Sequence, residues 1–472
     1  MLFNSFEFLW LFPIIFCVYY LMAWKKFGNC VLLLISYGLY IKWEPVYALI
    51  LLWVTAITYV TARLLNSRTF VNEASRKLLF IVGILLTVAP LCLFKYYHFV
   101  TLTISELLSE FGFTVGLPGL NWALPLGLSF FTIQAIGYLA DVYLKRIEVE
   151  CNWWDYMLFV AFFPQIASGP ISKAKDLLPQ IKAERPFNYN QAVQGLRWIL
   201  WGMFIKVVMA DRVGIYVDTI FNNYEYLSGL SCLIGSFLYT LQIYGDFAGY
   251  SFMAVGVAEL LGFELINNFH RPYFAQSITE FWHRWHISLS IWLRDYIYIP
   301  LGGSRCSKIR SYWNIFVTFL VSGIWHGANW TFIVWGAMHG VFQIIEKVLK
   351  LQKPTSRGIA KVVRITVTFL LVNFVWIFFR MPSLNDAMGM IMRIFTNKEI
   401  TIAEITPAMA LFIMVSISIV FVKDALDEFC KREYTLFHHQ YAFVRWTTYI
   451  ILTIMILTCG VFDASQFIYV NF

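Results

Sequence analysis

The chain has 472 residues, of which 59% are hydrophobic and only 14% are charged, and its mean hydropathy is +0.66. Soluble domains have about 25% charged residues, so this composition excludes the soluble classes and indicates a polytopic membrane protein. The net charge of +8 does not predict a nucleic-acid partner, because the basic residues lie in short segments between apolar runs, as in membrane proteins.

The apolar runs are long and unbroken rather than alternating, which predicts an all-α fold. No long polar linker divides the chain, so we expect residues 1–472 to form a single membrane-embedded domain. Spans of about 20 residues cross a bilayer core. Segments near this length are predicted at 6–24, 29–42, 46–63, 78–97, 122–144, 191–209, 230–245, 247–262, 312–326, 329–349, 362–380, 405–423 and 443–461.

Basic residues favour the cytoplasmic loops of a membrane protein and so indicate its orientation. They follow the first and third predicted spans, at Lys25, Lys26, Arg63, Arg68, Arg76 and Lys77. Both loops are therefore expected in the cytoplasm and the N-terminus outside. The segment FFPQIASGP at 162–170 is too short to cross and contains two prolines and a glycine, so we expect a re-entrant element covered by protein.

Four of the eight histidines lie between residues 280 and 339, in surroundings rich in tryptophan: His283, His286, His326 and His339. From 279 to 299 the bulky apolar residues recur at three- and four-residue steps, which predicts an interfacial or cavity-lining helix. On one continuous helix, His286, Ser290 and Arg294 would share a face. The Leu-Gly-Gly-Ser turn at 301–304 ends this helix, and a basic edge of Arg305, Lys308 and Arg310 follows.

The next span reaches His326 after about fifteen residues, roughly 22 Å of helix, which places this histidine deep in the membrane. A buried imidazole can take a proton from an incoming hydroxyl, although a structural histidine bonded to a carbonyl is equally compatible with the sequence. Gly323 and Gly336 belong to small-residue repeats that allow close helix packing.

No carboxylate-bearing metal motif accompanies the histidines, so no catalytic metal is predicted. For Asp246, a structural salt bridge is the alternative to a binding role.

The segment FWHRWHISLSIWLRDYIYIPLGG at 281–303, followed by GIWHGANW at 323–330, resembles the signature of the membrane-bound O-acyltransferase (MBOAT) family, in the branch of the bacterial alginate O-acetylation membrane protein. The likeness extends to both ends of the chain. Further similar blocks are MLFNSFEFLWLFP at the start, 124–143, 162–171, 206–212, 242–251, 267–278 and QFIYVNF at the end.

This resemblance implies a helical ring around a central tunnel in the bacterial cytoplasmic (inner) membrane. His326 matches the family's catalytic base, and His286 its second histidine, for which we expect a supporting role at the oxyanion. The expected substrate-binding residues are Arg294, Trp285, Ser290, Asp246, Trp325 and Asn329. No bound cofactor is expected. The acyl donor would be acetyl-CoA or an acyl carrier protein, and the acceptor a polysaccharide or peptidoglycan, reached directly or through a periplasmic acetyltransferase partner.

Two alternatives stay open at the level of the sequence. Relatives that transfer D-alanine to teichoic acid from a carrier protein are apolar where alginate-branch members often have Asp, and this chain has Phe252 there. A transporter or channel would also place histidines inside the membrane, but it would favour inverted repeats with paired broken helices, and the sequence has none that we can detect.

Overall fold

The computed structural model describes residues 3–23, 27–43, 45–67, 72–113, 122–354, 358–430 and 436–462. These residues are predominantly helical and contain no strand, which confirms the all-α prediction. Lys25, Lys26 and Arg68, on which the predicted orientation partly depends, lie outside the described residues, as does the C-terminal block QFIYVNF. Near the two ends, Phe6 and Phe462 are in contact with ring centroids 4.7 Å apart, so the beginning and end of the described chain meet.

The described residues of the first part of the chain form nine helices. They are α1 (Phe6–Ala23), α2 (Gly28–Trp43), α3 (Pro45–Leu65), α4 (Glu73–Leu91), α5 (Tyr97–Glu110), α6 (Leu128–Tyr143), α7 (Trp153–Ala161), α8 (Phe163–Ile166) and α9 (Ala174–Lys182). The remainder adds α10 (Tyr189–Met203), α11 (Asp211–Asn222), α12 (Gly229–Leu260), α13 (Ile278–Arg284), α14 (Ile287–Leu293), α15 (Lys308–His326), α16 (Trp330–Val348), α17 (Ile359–Arg380), α18 (Leu384–Thr396), α19 (Pro407–Phe429) and α20 (Ala442–Cys459). Turns of π-helix occur at Cys92–Tyr96, Phe204–Ala210 and Arg294–Tyr298, and a 3₁₀ turn at Pro272–Phe274.

Five helical segments in the described part of the chain are long and apolar enough to cross a membrane. They are Pro45–Leu65, Glu73–Glu110, Ile359–Arg380, Pro407–Phe429 and Ala442–Cys459. Each overlaps a predicted span, and the predicted spans at 6–24 and 29–42 correspond to the shorter apolar helices Phe6–Met22 and Gly28–Lys42. The protein is therefore a multi-pass membrane protein, with additional buried helices between these segments.

The segment from Glu73 to Glu110 is continuous although Pro90 lies inside it. Proline has no N–H and cannot donate to the carbonyl one turn earlier. The indole of Trp53 instead donates to that carbonyl, Leu86 O, at 3.0 Å. The π turn Cys92–Tyr96 follows directly after α4. The helix thus continues through Pro90 as one apolar segment, but its register changes at the π turn that contains Lys95.

The two spans predicted at 230–245 and 247–262 are wrong as separate elements, because the structure has the single helix α12 there. The prediction placed a boundary at the Tyr-Gly-Asp sequence around Asp246. That carboxylate is fully buried and pairs with Lys206 of the neighbouring π turn, so its charge is compensated inside the protein and the helix continues.

Helices α10 and α12 pack closely through glycine. A Cβ atom on Gly195 would lie 2.6 Å from the carbonyl oxygen of Gly256, and one on Gly202 would lie 2.6 Å from that of Gly249. Real Cβ atoms do not approach backbone this closely, so only glycine allows this packing.

The predicted re-entrant element is a short, broken helical segment that is covered by protein. Helix α7 ends at Ala161 and α8 contains only four residues, while every residue from 156 to 170 is buried. Gln134 donates to the carbonyl of Phe159 at 2.6 Å, and Gln165 donates to Gln134 Oε1 at 3.0 Å. Side chains therefore compensate part of the backbone polarity that the break exposes, as a buried irregular segment requires.

Candidate active site

His326 is the last residue of α15, and the packing of α15 on α16 fixes its place. The two helices touch at Gly323 and Gly336, where an added Cβ atom would collide with the carbonyls of Phe332 and Phe319, respectively. This close approach brings the indole of Trp335 to 5.0 Å from the His326 ring, measured between centroids. The small-residue spacing in the sequence therefore contributes directly to the position of the histidine.

His286 lies at a break in the segment that was predicted to be one helix from 279 to 299. Helix α13 ends at Arg284 and α14 begins at Ile287, while His286 has the left-handed φ of 42°. The side chain and carbonyl of Asn268 accept hydrogen bonds from the N–H groups of Ser288 and Ile287, both at 3.0 Å. Asn268 thus caps the first turn of α14 from another part of the chain and stabilises the break.

This break corrects the prediction that His286, Ser290 and Arg294 share one helix face. His286 precedes α14 in a non-helical conformation and is fully buried. The side chain of Arg294 is 58% exposed and pairs with Asp295. Ser290 donates to the carbonyl of Trp285 at 3.4 Å. His286 is therefore separated from the other two residues, whereas Ser290 and Arg294 line the same cavity beside α14.

The two histidines come together inside the protein. Their ring centroids are 6.3 Å apart, and the exposed fraction is 0% for His286 and 3% for His326. Among the described residues, neither ring nitrogen of His286 has a hydrogen-bond partner. At this separation a single bound oxygen atom can lie within hydrogen-bond reach of both rings, which is the geometry that proton transfer requires.

Aromatic rings enclose the histidine pair. Trp325 packs beside both histidines, with its centroid 4.9 Å from His326 and 5.9 Å from His286. Phe247 meets His286 edge-on at 4.6 Å, and Phe379 lies 5.4 Å from His326. Polar interactions are stronger in such a poorly hydrated environment than in water.

Three other predicted substrate-binding residues have contacts of a structural kind. Trp285 is fully buried against Trp376, with centroids 5.2 Å apart. Asn329 is the N-cap of α16 and also donates to the carbonyl of Pro382 at 2.7 Å. Asp246 pairs with Lys206, as the alternative reading of the sequence expected. A binding role for these three residues stays a prediction.

Two cavities flank α14. The larger, about 690 Å³, is lined by residues that include Ile287, Ser290 and Arg294. The smaller, about 250 Å³, is lined by Ser288 and again by Arg294, among others. Both cavities thus reach the residues that directly follow His286. His326 lines neither of these two cavities, so a tunnel that leads to it stays a prediction.

The rim of the smaller cavity is a cluster of charged groups. Asp295 accepts hydrogen bonds from Lys173 and from Arg294 Nε, the latter at 2.7 Å. Burial by itself would raise the pKa of Asp295, but the hydrogen bonds from Arg294 and Lys173 outweigh it and lower this pKa below its usual value. The carboxylate therefore remains charged at neutral pH and orders two cations beside the cavity.

The remaining two histidines of this region differ in their surroundings. His283 is exposed and lines the larger cavity. His339 is buried, and the indole of Trp282 donates to its Nδ1 at 3.3 Å, as expected for a packing residue. Within the ranges that the structure describes, no group of three or more His, Cys, Asp or Glu side chains is arranged to hold a metal ion.

Comparison with known proteins identifies similar acyltransferases. The chain is 36% identical over 408 residues to the probable alginate O-acetylase AlgI of Pseudomonas aeruginosa, which covers 86% of this chain and 77% of that protein. It is 34% identical over 420 residues to the peptidoglycan O-acetyltransferase of Helicobacter pylori, covering 82% and 78% of the two chains. A teichoic acid D-alanyltransferase of Streptococcus thermophilus is 29% identical over 243 residues, covering 49% of this chain and 58% of the relative.

A family model also matches the part of the chain that contains both histidines of the site. Residues 39–385 match the membrane-bound O-acyltransferase family, and this range includes His286, His326 and the two cavities beside α14. The chain is therefore an enzyme, and it belongs to the membrane-bound O-acyltransferase family.

Proposed function

We propose that this enzyme transfers an acetyl group from a cytoplasmic thioester to hydroxyl groups of an extracytoplasmic polysaccharide or peptidoglycan. The observation that carries the proposal is the buried pair of His286 and His326, 6.3 Å apart between centroids, in a chain of this family. The alginate O-acetylase and the peptidoglycan O-acetyltransferase, both similar over more than four fifths of this chain, support acetyl as the acyl group.

His326 acts as the general base in this proposal. Its neutral imidazole accepts the proton of the acceptor hydroxyl while the hydroxyl oxygen attacks the thioester carbonyl carbon. A C–O bond forms, and the carbonyl oxygen of the tetrahedral intermediate takes up the negative charge. The C–S bond then breaks, and the departing thiolate receives the proton from His326. The thioester supplies the driving force, so the enzyme has mainly to align the three groups.

His286 stabilises the oxyanion as a hydrogen-bond donor. Donors that are already oriented toward the developing charge are effective in a dry site, because they need no rearrangement during the reaction. The left-handed backbone at His286 and the cap from Asn268 hold the ring in this position. Its ring nitrogens have no hydrogen-bond partner among the described residues, so the donor is available to a substrate.

The thioester donor occupies the larger cavity beside α14. Its volume of about 690 Å³ is within the usual range for small-molecule sites. Arg294 and Lys347 give the cavity cationic groups that suit the phosphates of acetyl-CoA or of a carrier-bound phosphopantetheine. From there the acyl group passes beside Ile287 toward the histidine pair.

The acceptor reaches the histidine pair from the opposite side of the membrane. The enzyme lies in the bacterial cytoplasmic membrane, with its N-terminus outside. The acceptor hydroxyl belongs either to the polymer itself or to a periplasmic acetyltransferase that carries the group onward.

Acyl transfer is favoured over the two alternative functions. Transport without an acyl donor is not the chemistry of the family that matches residues 39–385. D-alanyl transfer to teichoic acid fits less well, since the D-alanyltransferase of Streptococcus thermophilus is similar over only 49% of this chain, compared with 86% for the alginate O-acetylase. Phe252, the residue that raised this alternative, is buried and stacked on Trp198 at 5.0 Å between centroids.

The test is to replace His326 in cells that express the gene from its own locus. Mass spectrometry of the groups that mild base releases from the envelope polymers identifies the acyl group and its amount. We expect acetate, and its loss in His326→Ala, whereas His438→Ala in an exposed loop retains wild-type acetylation. Undiminished acetylation by a correctly inserted His326→Ala protein would exclude the base role, and release of D-alanine would support the teichoic acid alternative.

A further inference from the structure

The longest apolar helical segment among the described residues carries one charge in its middle. Between residues 78 and 105 the only Asp, Glu, Lys or Arg is Lys95, and the segment has the highest hydropathy of the five candidate spans. An ionisable group inside an apolar span is costly and indicates a function. Within the described residues, Lys95 takes part in none of the ion pairs, so neutralising a carboxylate does not explain it.

Lys95 is bound instead to the residue that directly precedes His326. Its ammonium donates to the carbonyl oxygen of Trp325 at 2.7 Å and to Ser129 Oγ at 3.2 Å. The Trp325 indole in turn donates to the carbonyl of Ser129 at 3.4 Å. Trp325 is therefore held through both its backbone and its ring.

The neighbouring Tyr96 makes an equivalent contact with the residue that precedes Trp325 in α15. Its hydroxyl donates to the carbonyl oxygen of Ile324 at 2.7 Å. The last four carbonyls of an α-helix lack intrahelical partners. In α15, Gly327 N–H reaches only the carbonyl of Gly323, so the next two carbonyls are satisfied by Tyr96 and Lys95 from another helix.

The π turn at Cys92–Tyr96 explains how two consecutive side chains, Lys95 and Tyr96, can both reach the end of α15. Successive side chains of an α-helix diverge around its axis, and the wider π turn reduces that divergence. Such single π turns are infrequent and are often found at functional sites. The register change that follows Pro90 thus directs both Lys95 and Tyr96 toward the end of α15.

We propose that Lys95, together with Tyr96, is a positioning residue for acyl transfer: the two side chains cap α15 and fix the backbone in front of His326, which holds the imidazole toward His286. This inference rests on the proposed role of His326. Neither side chain needs to touch the substrate. An error of about 1 Å in the position of a catalytic group can reduce a rate by about 10²-fold, so such a cap can affect the rate strongly.

The test compares Lys95→Met, Lys95→Arg and Tyr96→Phe with His326→Ala and with Lys42→Met, which removes an exposed lysine paired with Glu7. The readouts are the initial rate at which base-labile acyl groups accumulate on the envelope polymers, per amount of enzyme in the membrane, and the melting temperature in detergent. We expect Lys95→Met to lower the rate about 10- to 100-fold. Tyr96→Phe should lower it a few-fold, Lys95→Arg should recover most of it, and Lys42→Met should match wild type.

The melting temperature separates positioning from a structural role. Lys95→Met leaves the carbonyl of Trp325 without this donor, but it also removes the cost of holding an ammonium group in an apolar span. Because these two effects oppose each other, the melting temperature should stay within about 3 °C of wild type while the rate falls about 10- to 100-fold. A wild-type rate, or a rate and melting temperature that fall together, would overturn the inference. If Lys95→Met does not accumulate, Tyr96→Phe decides: a wild-type rate in that variant overturns the proposal. An active His326→Ala protein would instead refute the proposed function itself.

Discussion

His286 and His326 face each other inside the protein with ring centroids 6.3 Å apart, although 40 residues separate them in the sequence. Each reaches this position through a helix end: His326 terminates α15, and His286 precedes α14. A side chain at a helix end can point along the axis rather than away from it. The pair therefore depends on where α15 ends and where α14 begins, and side chains from other segments cap both of these helix ends.

The first prediction concerns the oxyanion role of His286. His286→Leu should lower acyl transfer about 10²- to 10³-fold, because the hydrogen-bond donor is lost. His286→Asn should retain more activity, since asparagine keeps an N–H donor and tolerates the left-handed conformation. The rate of polymer acylation per membrane-inserted enzyme measures both effects. His98→Leu, at an exposed site on α5, is the matched control, and equal activity of the Leu and Asn variants at position 286 would contradict a donor role.

The second prediction concerns donor binding at Arg294. Removal of this cation should raise the KM for acetyl-CoA by about tenfold and leave kcat within a factor of about two, because a charge-assisted contact to phosphate contributes about 1.5–3 kcal/mol and lies away from the reacting atoms. The measurement is acetyl transfer by purified Arg294→Ala in detergent. Arg63→Ala, at the exposed end of α3, should leave both constants unchanged. A fall in kcat alone would place Arg294 at the reaction rather than at the donor.

The third prediction concerns the contact between α15 and α16. Gly336→Ala introduces a methyl group that collides with the carbonyl of Phe319, so the helices must separate and both the melting temperature and acyl transfer should fall. Gly38→Ala is the matched change, since its added Cβ meets nothing within 4 Å. In a helix interior, replacing glycine with alanine is expected to stabilise the folded protein by about 0.5–1 kcal/mol. An unaltered melting temperature for Gly336→Ala would show that the contact can relax at no cost.

The fourth prediction concerns the buried ion cluster of Lys206, Asp211 and Asp246. Lys206 donates to both carboxylates, and all three side chains are at most 1% exposed. Lys206→Met leaves two buried carboxylates without their cation and should cost about 3–5 kcal/mol, seen as poor recovery and a lower melting temperature. The triple variant with Asp211→Asn and Asp246→Asn should regain most of this stability. Acyl transfer by that stable triple variant would exclude the substrate role predicted for the Asp246 carboxylate.

The sequence was informative where a residue type is costly in its surroundings. Histidines among tryptophans, and glycines at four-residue spacing beside them, are rare enough in apolar segments to indicate a site and a close helix contact. The structure brings His286 and His326 together and places Gly323 opposite Gly336. These features could be predicted because each depends on a local requirement. A polar group in an apolar segment is energetically costly and so indicates a function, and closely packed helix backbones require small residues.

Other features could not be predicted because their cause lies elsewhere in the chain. The break before α14 depends on Asn268, and the continuity of α12 depends on Lys206. The periodicity of 279–299 indicated a single helix, since nothing within that segment reveals the distant cap. Lys95 was visible as a charge in an apolar run, but its importance becomes clear only from its contact with Trp325, 230 residues away.

The rings of Trp325, Trp335 and Phe379 around His326 also bear on how much of the thioester would be lost to hydrolysis. A thioester held beside a general base is as open to attack by a water molecule as by an alcohol, and each such attack would waste the group. In the proposed mechanism, the aromatic enclosure keeps bulk solvent from the imidazole until the acceptor itself fills the gap between the two histidines. The same packing that makes the site hard to enter therefore favours transfer over hydrolysis.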